Sequence, residues 1–177
     1  RKKASIGVHD LDTIKFPLIY STKSWKESFI PLDQNGPLTF KEILSTTDVG
    51  KKYGNLLNKH IRYPALNDNN NQIISFPPII NSNKTRVTNK SRNLLIEITG
   101  INLETCKSIL AILAYYLYEE GFKIYSGIIH DEKNNFSSLK ILKDNEVLID
   151  KYLVDKYLGL DLTFKEIVET LHRSRIG

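Results

Sequence analysis

Chemistry in this chain has to come from few residues. A glutamate and a threonine two positions apart, Glu97 and Thr99, sit in the apolar run Leu94 to Ile98, which reads as a strand, so both side chains fall on one face. A carboxylate on a mostly apolar strand needs hydrogen-bonding partners if it is buried. The plain alternative is a glutamate on the solvent face of a half-exposed strand. If the pair lines a pocket, the carboxylate can accept a hydrogen bond from a phenol hydroxyl, which separates tyrosine from phenylalanine far better than a pocket that merely tolerates an extra hydroxyl. Upstream, Ser75 closes another apolar stretch. Between the two runs lies a polar, basic segment from Asn81 to Arg92 that contains Lys84, Arg86 and Arg92.

Other chemistries find no motif. The sequence has no GxxxxGK[ST] loop, GxSxG elbow, HExxH or CxxC, and the four histidines, His9, His60, His130 and His172, are too scattered for a zinc site. No metal is expected. The single cysteine, Cys106, falls on the apolar stripe of a helix, which predicts a buried, inert thiol. His9 and Asp10 are neighbours on a strand and point to opposite faces, so a structural or loop-fixing role suits His9 better than catalysis.

The elements that must position these residues follow from pattern. Ile6 and Val8 alternate as a strand, as do Phe16, Leu18 and Tyr20 with Pro17 at the edge. Thr39 and Glu42 form a capping box, and Asp48 can cap a second short helix that Gly50 and Gly54 interrupt. Arg62 to Leu66 and Gln72 to Phe76 read as a hairpin around five Asn/Asp residues. Pro77-Pro78 predicts a rigid edge segment with Phe76 extended, followed by a buried strand at Ile79-Ile80. After Gly100, Asn102 caps the longest helix, whose stripe of Cys106, Ile109, Leu110, Leu113, Ala114 and Leu117 should be the spine of the core, and Gly121 stops it. Strands are expected over Ile124 to Ile129 and Ser138 to Leu142, around a turn from Asp131 to Asn135.

From Asp150 the character becomes helical, with a Gly159 stop and a second capping box at Thr163 and Glu166. This gives an α+β fold of mixed or antiparallel sheets packed with helices. The expected division is a main domain over 1–147 and, over 148–177, a short helical piece of a following module. Cut off from the rest of that module, Leu153, Tyr157, Ile167 and Leu171 should be partly exposed.

At 177 residues the chain can bury one substantial core. A net charge of +5 favours a polyanionic partner but is mild beside dedicated nucleic-acid binders. One cysteine excludes an intrachain disulfide. There is no run of eighteen apolar residues, and a soluble, cytoplasmic protein without a membrane partner is expected. Position 1 is Arg and the chain has no methionine, so it reads as a piece of something longer.

The stretches SFPPIINSNKTRVT and LLIEITG, with IGVHDLDTIKFPLIYSTKS before them and LIDKYLVDKYLGLDLTFKEIVETLHRSRIG after, strongly resemble the beta subunit of phenylalanyl-tRNA synthetase of the archaeal and eukaryotic cytosolic type. The resemblance covers nearly the whole chain in register. It implies an editing region that hydrolyses Tyr-tRNA(Phe), with a pocket at Leu66, Ser75, Glu97 and Thr99. Glu97, Thr99 and Ser75 would then be the reactive-site groups, and the family's usual aspartate is replaced by Glu97. With no nucleophile and no metal, attack by a positioned water is expected. Lys84, Arg86 and Arg92 are candidates, by charge and place, for the phosphates of the tRNA end. The resemblance further implies a parent ligase that uses ATP and magnesium, with no cofactor in this fragment, and an alpha subunit holding the synthetic site in an α2β2 assembly. The competing functions are a module that only docks tRNA or the partner subunit, and an insert with a decayed site.

Overall fold

Aromatic and aliphatic residues from strands and short helices converge on one centre. Phe40, Ile43, Ala65 and Phe76 are fully buried, and the Phe40 and Phe76 rings meet edge to face with centroids 4.5 Å apart. The computed structural model describes residues 4–57, 60–131, 135–138 and 148–174. Two compact units are present, Arg1–Ile141 and Leu142–Gly177.

In the first unit, a four-stranded antiparallel sheet has the order β2 (Ile19–Ser24), β5 (Arg62–Asn67), β6 (Ile73–Phe76) and β7 (Ile80–Asn81). A ribbon of β1 (Ala4–Asp10) and β8 (Leu94–Gly100) forms a second antiparallel pair. A small pair, β3 (Ser28–Phe29) with β4 (Leu38–Thr39), leads into α1 (Phe40–Thr46). That helix starts with the Thr39–Glu42 capping box, complete in both directions. It places Phe40 and Ile43 in the same cluster as Ala65, Ile73 and Phe76. A smaller cluster, Ile14, Leu66 and Ile74 with Leu18 and Leu95, joins the sheet to the ribbon.

Several expectations are corrected. The strand expected from Phe16 begins only at Ile19. Asp48 is the first residue of α2 (Asp48–Tyr53), and the cap is Thr47, whose hydroxyl accepts from Gly50 N and donates to Ile43 O. Gly50 does not fray this helix: a Cβ there would lie 1.9 Å from Ile43 O, so it is the close-approach point between α1 and α2. The Pro77-Pro78 step is not an extended edge segment. It lies in the turn between β6 and β7, and β6 is an interior strand with a partner on each side. The prolines follow the last ladder residue, so their missing N–H groups remove no bond from the sheet.

The helix α3 (Leu103–Glu119) is the longest, capped by Asn102 and ended by Gly121 at φ 88°. It is not the spine of the core. Its expected stripe does turn inward, but only Ala114 is buried, and Cys106, Ile109, Leu110, Leu113 and Leu117 are half-covered. The reason is that the sheet and α1 already close the main cluster, leaving α3 to follow β8 along the ribbon. Cys106 is accordingly half-buried, with burial pushing its thiol up. We expect native Cys106 to be modified by a thiol reagent more slowly than a free thiol but without unfolding. Labelling that waits for denaturant would return it to the core.

β9 (Ile128–His130) and β10 (Asn135–Ser137) form a hairpin, shorter than expected and with Asn135 in the strand rather than the turn. Most of the expected strand Ser138 to Leu142 lies outside the described residues. In the second unit, α4 (Lys151–Leu158) is capped by Asp150 and stops at Gly159 with φ 67°. α5 (Phe164–Arg173) carries the complete Thr163–Glu166 capping box. Leu153 is 46% and Tyr157 83% exposed, Leu171 is half-buried, and Ile167 is buried.

Candidate functional site

The site is built where the ribbon crosses the sheet. Antiparallel register aligns Tyr20, Leu66, Ser75 and Asn81 in one row across β2, β5, β6 and β7, so their side chains share a face. Between the pairs Leu66–Ser75 and Asn67–Ile73 the register shifts by one, which leaves Ile74 as the extra residue of a β-bulge. Ile73 therefore packs with Phe40 and Phe76, while Ile74 packs with Leu66 and Leu95 on the ribbon side. Ser75 reaches the ribbon as well, and its hydroxyl is 3.0 Å from Glu97 Oε1 and 3.3 Å from Asn81 Oδ1. A hydroxyl has one proton to give, and the shorter contact to the carboxylate takes it. Asn81 donates in turn to Val8 O at 3.4 Å.

On the ribbon, Glu97 stands opposite Gly7. A Cβ at Gly7 would lie 2.5 Å from Glu97 Oε1 and 2.9 Å from His9 Nε2, so a side chain there would collide with the carboxylate. Glu97 Oε2 is buried and has no hydrogen-bond partner among the described residues. Burial lifts the Glu97 pKa above the carboxylate range, only partly offset by the Ser75 hydrogen bond. The Tyr20 phenol is raised by burial and then by the charge of Glu97, which places it within electrostatic reach of the carboxylate. A carboxylate raised in the folded state contributes stability below its unfolded pKa, and that contribution disappears as pH rises through the folded value. We therefore expect Glu97→Gln to stabilise the chain at neutral pH, with the gain vanishing on acidification below the ordinary carboxylate range. Denaturation midpoints at the two pH values check this, and a pH-independent difference would contradict it.

The sequence-predicted residues separate into those brought together and those apart. Ser75 (2% exposed) and Glu97 are in contact, and Leu66 is the buried cross-strand neighbour of Ser75. Thr99 lies further along the same face of β8, where its hydroxyl pairs with Ser5 at 2.7 Å rather than with Glu97 or Ser75. The cations do not gather on these residues. Arg86 pairs with Asp33 at 2.9 Å, Arg92 donates to Asn89 O and Ser91 O in its own loop, and Lys84 is exposed. A groove of about 280 Å³ runs past Asn81, Thr85 and Arg86, and a cleft of about 600 Å³ lies among Lys26, Gln72 and Lys84. Neither is lined by Leu66, Ser75, Glu97 or Thr99.

Sequence reasoning did not single out Asn81, Tyr20 or Gly7 as site residues. Gly7 had a usable signal, a small residue between apolar neighbours in the strand that pairs with β8. The loop-fixing role expected of His9 is seen: its Nδ1 is 2.8 Å from Thr85 Oγ1, and the ring is fully buried. Asp10, on the opposite face, accepts from Ser91 Oγ at 2.5 Å. Among the described residues no three metal-ligating side chains cluster, and no helix is long and apolar enough to cross a membrane. A magnesium-dependent ATP site has no ligand set in this part of the chain.

Residues 3–111 match the model of the B3/4 domain, which is more than half of the chain. The chain belongs to the B3/4 domain family. Within that family it is similar over its whole length to the phenylalanine–tRNA ligase beta subunit of Methanosphaera stadtmanae, at 37% identity, covering 32% of that subunit. The beta subunit from Sulfolobus acidocaldarius is 39% identical over 99% of the chain, again 32% of its own length. The crystal structure of an N-terminal fragment of the phenylalanyl-tRNA synthetase beta-subunit from Pyrococcus horikoshii superposes with a TM-score of 0.83. It shares 32% identity, with 97% of this chain and 49% of that one covered. The chain thus spans about a third of the length of the beta subunits it matches.

Proposed function

We propose that this chain is the editing region of a phenylalanine–tRNA ligase beta subunit and hydrolyses the ester of Tyr-tRNA(Phe). The observation that carries the reading is the Ser75–Glu97 contact at 3.0 Å, which aims a carboxylate with one unpaired buried oxygen at the junction of sheet and ribbon. Such an oxygen is an acceptor for the phenol hydroxyl that distinguishes tyrosine from phenylalanine. Leu66 supplies apolar wall beside it. Nothing here acts as a covalent nucleophile, so the ester is cleaved by water held among polar groups. Lys84, Arg86 and Arg92 serve the tRNA phosphates, with Arg86 exchanging Asp33 for a phosphate. The alpha subunit, in an α2β2 assembly, holds the synthetic site with its ATP and magnesium. Because Glu97 and Ser75 line neither groove, a docking role without hydrolysis is the competing function.

The test is deacylation of Tyr-tRNA(Phe) and Phe-tRNA(Phe) by the wild-type chain, Glu97→Ala and Thr99→Ala, with tRNA binding measured in parallel. We expect Glu97→Ala to lower tyrosine hydrolysis by about 10- to 100-fold, the loss of one buried hydrogen bond, while tRNA binding is kept. Salt-dependent tRNA binding by a wild type that cleaves neither ester would favour docking alone.

A further inference from the structure

His9 and Glu97 each bury a polar atom without a hydrogen-bond partner among the described residues, His9 Nε2 and Glu97 Oε2. The two side chains are diagonal neighbours on the inward face of the ribbon, since Gly7 pairs with Glu97 and His9 with Leu95. Glycine between them removes the side chain that would keep them apart. The point where its Cβ would stand is 2.9 Å from His9 Nε2 and 3.0 Å from Glu97 Cδ, the carbon that bears Oε2. The imidazole and the carboxyl group are therefore neighbours across an empty Cβ position.

The far side of the ring is fixed. His9 Nδ1 is 2.8 Å from Thr85 Oγ1, and that hydroxyl lies 3.3 Å from Ser82 O. A threonine hydroxyl has one proton, and if it donates to the Ser82 carbonyl it accepts from His9 Nδ1–H. Nε2 then carries a lone pair. Both orphaned atoms are acceptors in this arrangement, and a single proton between them satisfies both.

We propose that His9 is a positioning residue for Glu97, with Thr85 holding the imidazole as its Nδ1–H tautomer and one proton shared between Glu97 Oε2 and His9 Nε2. The carboxyl group is thereby locked in rotation, with Oε1 on Ser75 and turned toward the row of Tyr20 and Leu66. Burial acts in the same direction on both partners, holding His9 neutral, at about 4, and Glu97 protonated above its usual range. Tyr20, on β2, is the other titratable group in the field of Glu97, and the loop after β7 presents the uncharged Asn81 and Thr85. The consequence for hydrolysis rests on the editing function proposed above. The proton arrangement does not.

The experiment has two arms on the 177-residue chain. In the first, long-range ¹H–¹⁵N correlation of the imidazole and a carboxyl ¹³C titration of Glu97 are recorded for wild type, His9→Asn, which keeps an Nδ1-like donor for Thr85, and His9→Gln, which keeps an Nε2-like group. We expect an unprotonated Nε2 in the wild type, and a Glu97 titration that moves to lower pH in His9→Asn. A protonated Nε2, or an unchanged Glu97 titration in His9→Asn, overturns the proposal. If His9→Asn does not fold, the wild-type tautomer and the Glu97 titration in Thr85→Val, which frees the ring, decide the same question. In the second arm, single-turnover Tyr-tRNA(Phe) hydrolysis should fall about tenfold in His9→Asn, as for loss of one strong hydrogen bond, and largely recover in His9→Gln. Equal losses in both variants count against positioning. A wild type that hydrolyses nothing removes the editing function and leaves the first arm to decide the pairing.

Discussion

Phe76→Ala is expected to lower the unfolding free energy by about 3–5 kcal/mol, the range for emptying a large aromatic site in a closed core. Phe76 is fully buried, meets Phe40 at 4.5 Å and Tyr63 at 5.7 Å, and lies in the last position of β6 before the turn. Urea denaturation of the 177-residue chain measures it. A change below about 1 kcal/mol, the ordinary effect of a surface or tolerant site, would mean that the cluster around Phe40 is not the core. Phe76 is also the next residue after Ser75. Loss of hydrolysis in this variant would follow from the scaffold, and a comparison with Ser75→Ala, which removes only a hydroxyl, separates the two causes.

The second large effect is expected from the smallest change, Gly7→Ala. The added methyl would stand 2.5 Å from Glu97 Oε1, well inside van der Waals contact, so the carboxyl group must leave its place beside Ser75. Overpacking of this kind costs about 1–3 kcal/mol of stability. The cost to function should be larger, about a hundredfold in Tyr-tRNA(Phe) deacylation, because a displacement on the order of 1 Å at a reacting group has that effect. Wild-type rates in Gly7→Ala, with Glu97 still on Ser75 in its structure, would show that the approach is looser than the geometry indicates.

Much of the fold was written locally. The two capping boxes, the β5–β6 hairpin with its Asn/Asp turn, the Asn102 cap and the glycine stops of α3 and α4 depend on a few adjacent residues, and they appear where those residues are. The pairing of Ser75 with Glu97 was legible only through the family resemblance and the odd carboxylate in an apolar strand. What stayed hidden depends on long-range pairing. The bulge at Ile74 is a mismatch between two strands and leaves no trace in either alone. The half-exposure of α3 depends on the sheet and α1 having already closed the core. Gly7 matters because of what stands across from it 90 positions away, which a pattern of apolar spacing does not encode.

That separation bears on how the chain is made. Ser5 and Thr99, 94 positions apart, are partners at one end of the ribbon, and Asp10 and Leu94 at the other. During synthesis β5, β6 and β7 can pair soon after they emerge, whereas β1 has to wait until Gly100 is out. Until then the face bearing Leu66, Ile74 and Ser75 is uncovered, and the ribbon closes over it late because distant pairings come at a high loop-closure cost. A nascent chain stalled before β8 would hold a formed sheet and an unformed site. The polar contact at the centre of the molecule is thus among the last to be made, and a protease meeting the chain in that interval would find β1 still free.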